Sequence, residues 1–154
     1  MKRWLALLVA TALLGASCSS DSETESEAVG IFDIQIGDCF NHSSNEADDE
    51  DVEVSEVSRT DCDASHDSEV FSKFDLADET EFPGTDRVVN DAYAGCVDRF
   101  GDYVGTDFVE SDYYVGQFYP SESTWTQIGD REVICYLIYS AGQLEGSARD
   151  VGAE

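Results

Sequence analysis

The stretch that begins at Cys62 gathers residue types that can carry out acid–base or metal chemistry. It holds His66, one of two histidines in the chain, together with Asp63, Asp67 and Glu69. A histidine beside an acidic residue can act in general acid–base catalysis. However, no serine lies in a Gly-x-Ser-x-Gly turn. We also expect Cys62 to form a disulfide bond and not to act as a nucleophile. A histidine in a turn next to a disulfide more often bonds the backbone, so a structural role for His66 is favoured and catalysis is the alternative.

Two further groups of residues suggest binding. The acidic run Asp48–Asp51 offers oxygen ligands for calcium, but it lacks the spacing of an EF-hand loop, so a solvated loop is favoured and no metal site is expected. A second group is aromatic and could offer a stacking surface for sugars. The favoured alternative is that these residues belong to the core, with some tyrosines exposed to solvent at its edge. Its members are Tyr113, Tyr114, Phe118, Tyr119 and Trp125.

The five cysteines indicate an exported protein. If Cys18 carries lipid, an even set of four remains, and in a small exported domain such a set is typical of two disulfides. Three connectivities are possible, and pairing Cys39 with Cys62 and Cys96 with Cys135 is preferred because each pair then joins neighbouring elements. A zinc site is the weaker alternative, because the chain has no C-x-x-C pair.

The N-terminus has the order of a bacterial lipoprotein signal. Lys2 and Arg3 precede an apolar run, and small residues then lead to Cys18. We therefore predict a signal peptide over residues 1–17, a lipid on Cys18, and a disordered tether over residues 18–28. The lipid would be the only contact with the membrane. Ordinary signal cleavage, which leaves a free secreted chain, is the alternative.

The charge of the chain narrows its partners. It has 34 Asp and Glu residues against 8 Lys and Arg residues, a formal net charge of −26. Such a surface repels nucleic acid and anionic lipid. A high-salt habitat, cation binding and a basic partner remain as explanations, and the first is favoured because Lys73 is the only lysine after the predicted signal.

The elements that must position these residues follow from periodicity. Val89, Tyr93, Cys96 and Phe100 fall on one face of a predicted helix, capped by Thr85 or Asp86 and ended by Gly101. Alternating or apolar runs predict strands, with an edge-type strand over 52–57 and a central one over 131–139. The other predicted strands cover 29–36, 69–74 and 111–119.

These elements predict an α+β fold. It comprises a small mixed or antiparallel sheet, one main helix packed on it, and two disulfides. The domain is predicted to span residues 29–147, followed by a flexible tail over 148–154.

Several pieces together resemble the septum formation family of exported or membrane-anchored actinobacterial proteins. They are Ile36–Phe40, Val57–Cys62, Ser65–Phe71, Phe82–Gly84, Cys96, Tyr119–Trp125 and Asp130–Cys135. The resemblance runs from about Val29 to Ser147 and implies an association with cell-division septa. It implies no enzymatic reaction and no catalytic residues. It marks the following as fold-defining positions: Gly37, Asp38, Cys39, Cys62, His66, Cys96, Trp125 and Cys135.

The function predicted from the sequence is a lipid-anchored extracytoplasmic interaction or accessory module of the cell envelope, linked to septum formation. The protein is predicted not to be an enzyme, to need no cofactor, and to bind an unidentified envelope or division protein. Gly37, Asp38 and His66 are assigned to structural turns. The alternative is a metal-dependent or acid–base hydrolase that acts on cell-wall material and is centred on His66.

Overall fold

One six-stranded sheet organises the part of the chain that the structure describes. The structure is a computed structural model, and it describes residues 26–42 and 54–152. Every strand pairing is antiparallel, and one long helix packs against the sheet. The predicted α+β fold is therefore confirmed. Cys18, the predicted signal peptide over 1–17 and the acidic run Asp48–Asp51 lie outside the described residues.

The elements follow one another along the chain with a second short helix near the end. The strands are β1 (Glu27–Gly30), β2 (Cys39–Asn41), β3 (Glu56–Thr60), β4 (Ser68–Asp75), β5 (Tyr113–Phe118) and β6 (Glu132–Tyr139). The helices are α1 (Thr85–Val104), the 3₁₀ turn Phe108–Glu110, and α2 (Glu122–Gln127). Ser121 caps α2 through a hydrogen bond that its side chain accepts from Thr124 N, as its residue type favours.

The strands lie in the order β1-β3-β2-β4-β6-β5, so β1 and β5 form the two edges. Strand β6 is an inner strand. The expectation of an edge strand over 52–57 is wrong, because β3 begins at Glu56 and lies between β1 and β2. Alternating apolar and polar residues show that one face of a strand meets water, and an inner antiparallel strand can have such a face too.

Strand β6 is apolar on both sides because a hydrophobic cluster lies on each face of the sheet. On the face covered by α1 lie Val133, Cys135 and Leu137. These side chains form one hydrophobic cluster with Phe100 of α1, here called the helix cluster. Ile134 points the other way, into a second cluster. That second cluster also contains Ile31, Ile34, Phe40, Val57 and Val70.

The buried stripe of α1 is rotated relative to the predicted one. Its buried residues are Val88, Ala92, Cys96, Phe100, Tyr103 and Val104. Cys96 and Phe100 were expected there, whereas Val89 is only partly buried and Tyr93 is 43% exposed. Ala92, the residue before Tyr93, is buried in the core instead.

The ends of α1 are set by glycines. Gly84 is the N-cap and makes no side-chain cap hydrogen bond, so the predicted cap at Thr85 or Asp86 is wrong. The helix also continues through Gly101 and stops at Gly105, whose φ of 86° is a left-handed conformation that glycine adopts without strain.

Both predicted disulfides are confirmed. Cys39 of β2 bonds Cys62 across a Cα–Cα distance of 5.2 Å, and Cys96 of α1 bonds Cys135 of β6 across 5.5 Å. The first joins the β2 strand to the turn before β4, and the second ties the helix to the sheet. Each is expected to contribute about 3 kcal/mol by restricting the unfolded chain.

The ends of the packed region differ from the predicted boundaries. Strand β1 starts at Glu27, before the boundary at Val29, and the chain then turns, so that Ile34 is buried while Phe32 and Ile36 are exposed. The predicted flexible tail over 148–154 also needs correction. Its first residue, Ala148, is buried, and the N–H groups of Asp150 and Gly152 donate to carbonyls at the end of α1, so the packed region reaches residue 152.

Candidate functional site

His66 lies in the core, directly before β4. Its side chain is 0% exposed, and its backbone exchanges two hydrogen bonds with Leu144, at 3.0 and 2.8 Å. The ring Nδ1 lies 2.8 Å from the carbonyl oxygen of Ala64. Because a carbonyl oxygen only accepts, Nδ1 carries a proton and donates it in this contact. Within the described residues, Nε2 has no hydrogen-bond partner.

Glu69 lies beside His66 and is also fully buried. Its carboxylate accepts hydrogen bonds from Tyr103 Oη at 2.5 Å, Ser147 Oγ at 2.6 Å and Ala148 N at 2.6 Å. These three donors come from α1 and from the C-terminal segment. A buried carboxylate is costly unless hydrogen bonds replace its water, and these donors supply that replacement.

Tyr103 reports the electrostatics of this site. Its pKa rises to about 12, first because burial disfavours the phenolate, then because the neutral hydroxyl donates to Glu69, whose negative charge adds to the effect. The guanidinium of Arg149 lies 4.3 Å from the centre of the Tyr103 ring and opposes the rise. The hydroxyl therefore stays protonated and remains a donor to Glu69 at neutral pH.

Cys39, His66 and Glu69 form the cluster of possible metal ligands in the described residues. One ligand atom from each lies within 4.8 Å of the others. Cys39 Sγ is already bonded to Cys62, so it offers no thiolate, and the Glu69 oxygens already accept three hydrogen bonds. The donor set therefore does not fit a metal ion while the disulfide is intact.

The two turn residues predicted upstream, Gly37 and Asp38, directly precede Cys39 and bond β4 through their backbone. Gly37 has a φ of 95°, which favours glycine, and a Cβ there would lie 3.8 Å from Tyr103 Oη. Gly37 N donates to Val70 O, and Val70 N donates to Asp38 O, which holds the turn against β4. The carboxylate of Asp38 also accepts from Gln35 N at 2.9 Å.

The structure separates the acids that the sequence groups around His66. Only Glu69 comes close to the ring. Asp63 is exposed, and Asp67 accepts hydrogen bonds from His42 N and from Gln143 Nε2 instead. Sequence reasoning missed Tyr103 as a site residue, although its position seven residues after Cys96 places it on the same helix face.

The aromatic group is also divided by the fold. Trp125 is buried beneath Arg131, whose guanidinium carbon lies 3.6 Å from the ring centre. Tyr113 packs on the helix cluster. Tyr114 and Tyr119 are exposed, at 62% and 39%, which agrees with the expectation of solvent-exposed tyrosines at the edge of the core.

An open groove of about 580 Å³ lies on the sheet face opposite α1. Its floor includes Phe118 and Tyr136, whose ring centres are 4.7 Å apart, and its sides include Phe32, Phe82 and Tyr119. Three carboxylates lie among its lining residues and no lysine, arginine or histidine does. The carboxylates belong to Glu122, Asp130 and Glu132. Sequence reasoning missed this groove, because Phe32 and Phe82 reach it from distant loops.

Comparisons with known proteins give one family. A family model described as septum formation matches residues 36–152 of the chain. No curated protein and no solved structure shows significant similarity to the chain. None of the helices in the described residues has the length and apolar character needed to cross a membrane.

Proposed function

Because the chain belongs to the septum formation family, we propose that it is a lipid-anchored, non-enzymatic module that binds a partner in the cell envelope during septum formation. Family membership gives the link to septum formation. Family membership and the two disulfides together indicate an extracytoplasmic protein. The lipid on Cys18, the absence of catalysis and the binding role are the finer parts of the proposal.

The burial of His66 is the observation that carries this proposal. A general base must reach the proton that it removes from a substrate. His66 is 0% exposed, with Nδ1 at a backbone carbonyl, and the adjacent Glu69 has its oxygens occupied by three donors. These contacts support a structural role for the pair and argue against a hydrolase centred on it.

The groove supports the binding role. It is open to solvent, its floor is aromatic, and two of its apolar side chains, Phe32 and Tyr119, are exposed. Exposed apolar side chains that cluster beside polar residues are typical of surfaces that contact other molecules.

The proposal is tested by following the protein in dividing cells. A fusion to a red fluorescent protein that matures outside the cytoplasm is expected to be enriched at division septa and to sediment with membranes. Cys18→Ala is expected to release the fusion into the soluble or secreted fraction, and Ser19→Ala serves as the matched control because it leaves the acceptor thiol in place. A fusion spread evenly around the envelope contradicts the septal role. Unchanged membrane binding of Cys18→Ala contradicts the lipid anchor.

A further inference from the structure

The edge strand β5 is free of charge in a strongly acidic protein. The whole chain carries 34 acidic residues among 154, yet β5 has none and also no lysine or arginine. Its residues are Tyr113, Tyr114, Val115, Gly116, Gln117 and Phe118. Edge strands are usually protected from pairing by charges, proline or a bulge. The opposite edge has such a charge, because Glu27 of β1 pairs with Arg59 at 2.7 Å.

The register shows which backbone groups of β5 face outward. Ser140 N donates to Asp112 O, and this pair continues the β5–β6 register. Hydrogen-bonded pairs alternate along an antiparallel ladder, so Tyr114, Gly116 and Phe118 bond β6. The N–H and C=O groups of Val115 and Gln117 therefore point away from β6, and the described chain supplies no further strand beyond β5.

The surroundings of β5 define the chemistry that would pair with it. Glu110 and Asp112 are exposed just before the strand, and Glu122 is exposed just after it. The strand ends at Phe118 in the floor of the groove, whose lining includes no cationic side chain. Lys73 offsets one of the carboxylates there, since its Nζ lies 3.0 Å from Glu132. The remaining charge is negative and favours a cationic partner.

We propose that β5 is a pairing site for an extended segment of a partner protein that alternates apolar residues with lysine or arginine. The segment adds a strand to the sheet, its backbone bonds the outward groups of Val115 and Gln117, and its basic side chains meet the flanking carboxylates. This inference rests on the proposed function and names the class of partner. A second copy of the chain is a poorer occupant, because each copy carries a formal charge of −26 and the two repel.

The test uses the purified domain and a labelled peptide of roughly six residues that alternates valine with lysine, about the length of an ordinary strand. Val115→Pro removes one outward N–H group while leaving the bonds to β6, and proline is tolerated on edge strands. Ala28→Pro is the matched control on the other edge. Ile31 N donates to Ser55 O, and the same alternation then places the N–H of Ala28 outward from β1.

We expect the peptide to bind the wild-type and Ala28→Pro domains alike, and to bind Val115→Pro about tenfold more weakly. Added salt should weaken binding, and the peptide with glutamate in place of lysine should not bind. If Val115→Pro fails to fold, peptides N-methylated on alternate residues make the same test from the other side. One methylation pattern should abolish binding and the other should preserve it.

Equal binding to Val115→Pro and Ala28→Pro, or equal binding of the two methylated peptides, overturns the proposal, as does the absence of binding. A dimer that strengthens with salt and is lost in Val115→Pro also overturns it, because a second copy is then the occupant. Since this assay uses pure protein, its failure is distinguishable from a failure of septal localisation in cells.

Discussion

The carboxylate of Glu69 shows how a single buried charge organises distant parts of the chain. Its donors Tyr103 and Ser147 lie 34 and 78 residues away in sequence, and Ala148 adds a backbone N–H. A hydrogen bond to a charged group typically contributes about 1.5–3 kcal/mol, more than one between neutral groups. The residue therefore links β4, α1 and the C-terminal segment into one unit.

Tyr103 should make the stability of the domain fall at high pH. Its pKa is raised from 10.0 to about 12 in the folded state, so its stabilising contribution is present below pH 10 and is lost as the pH rises through about 12. Tyr103→Phe should weaken this pH dependence, and at neutral pH it should cost about 1–3 kcal/mol because Glu69 loses a donor. Denaturant melts across this pH range measure both effects.

The exposed Tyr114→Phe variant is the control for the Tyr103 experiment. Burial also raises the pKa of Tyr113, so a smaller pH dependence should remain in Tyr103→Phe. A Tyr103→Phe domain that loses stability with pH as steeply as the wild type would show that Tyr103 is not the source of the pH dependence.

Some of these residue roles can be predicted from the sequence and others cannot. The cysteines are rare, and their positions on recognisable elements suffice to choose the pairing. The turn around His66 is visible because its residues favour local backbone bonds. The contacts of Glu69 are not visible, because nothing local in the sequence distinguishes a glutamate that will be buried from the many that stay in water.

At the scale of elements, the C-terminal segment is the part that sequence patterns describe least well. Residues 148–152 are mostly small or polar and show no periodicity, yet Ala148 is buried and Asp150 N donates to Tyr103 O. The backbone N–H groups of Ala148, Asp150 and Gly152 hold this segment in place, and such groups leave no signal in the side-chain pattern. Composition alone therefore favours a frayed end where the fold has a packed one.

Deleting residues 148–154 should destabilise the domain by about 1–3 kcal/mol, because Glu69 then keeps a buried oxygen without the donor Ala148 N. A deletion of residues 153–154 alone is the matched control and should leave the melting midpoint unchanged. Equal midpoints for the two truncated proteins would show that the segment does not support the buried carboxylate.

Strand order also lies beyond local patterns. The alternation in Glu56–Thr60 identifies a strand, but its neighbours β1 and β2 are chosen by pairing between segments far apart in sequence. Helix α1 is easier to predict from the sequence, because its apolar repeat is long. The ends of α1 are harder to predict, since Gly84 and Gly105 act through backbone conformation.

At the scale of the whole molecule, composition predicts the compartment better than it predicts the partner. The paired cysteines and the family match indicate a protein outside the cytoplasm. The charge of −26 argues against nucleic acid as a partner, but it is spread along the chain and points to no single site. Only the fold reveals that the uncharged edge strand β5 and the open groove with its aromatic floor lie side by side.

We expect the His66–Glu69 pair to support the fold and the molecule to act through its surface. The decisive experiment compares His66→Ala with His66→Gln in denaturant melts and in complementation of cells that lack the protein. We predict that His66→Ala lowers stability by about 1–3 kcal/mol, because Ala64 O loses its donor, and that His66→Gln recovers part of the loss. Complementation is expected to follow stability in both variants. Unchanged melting midpoints together with a complete loss of complementation would rule out a structural role for His66 and favour a catalytic histidine.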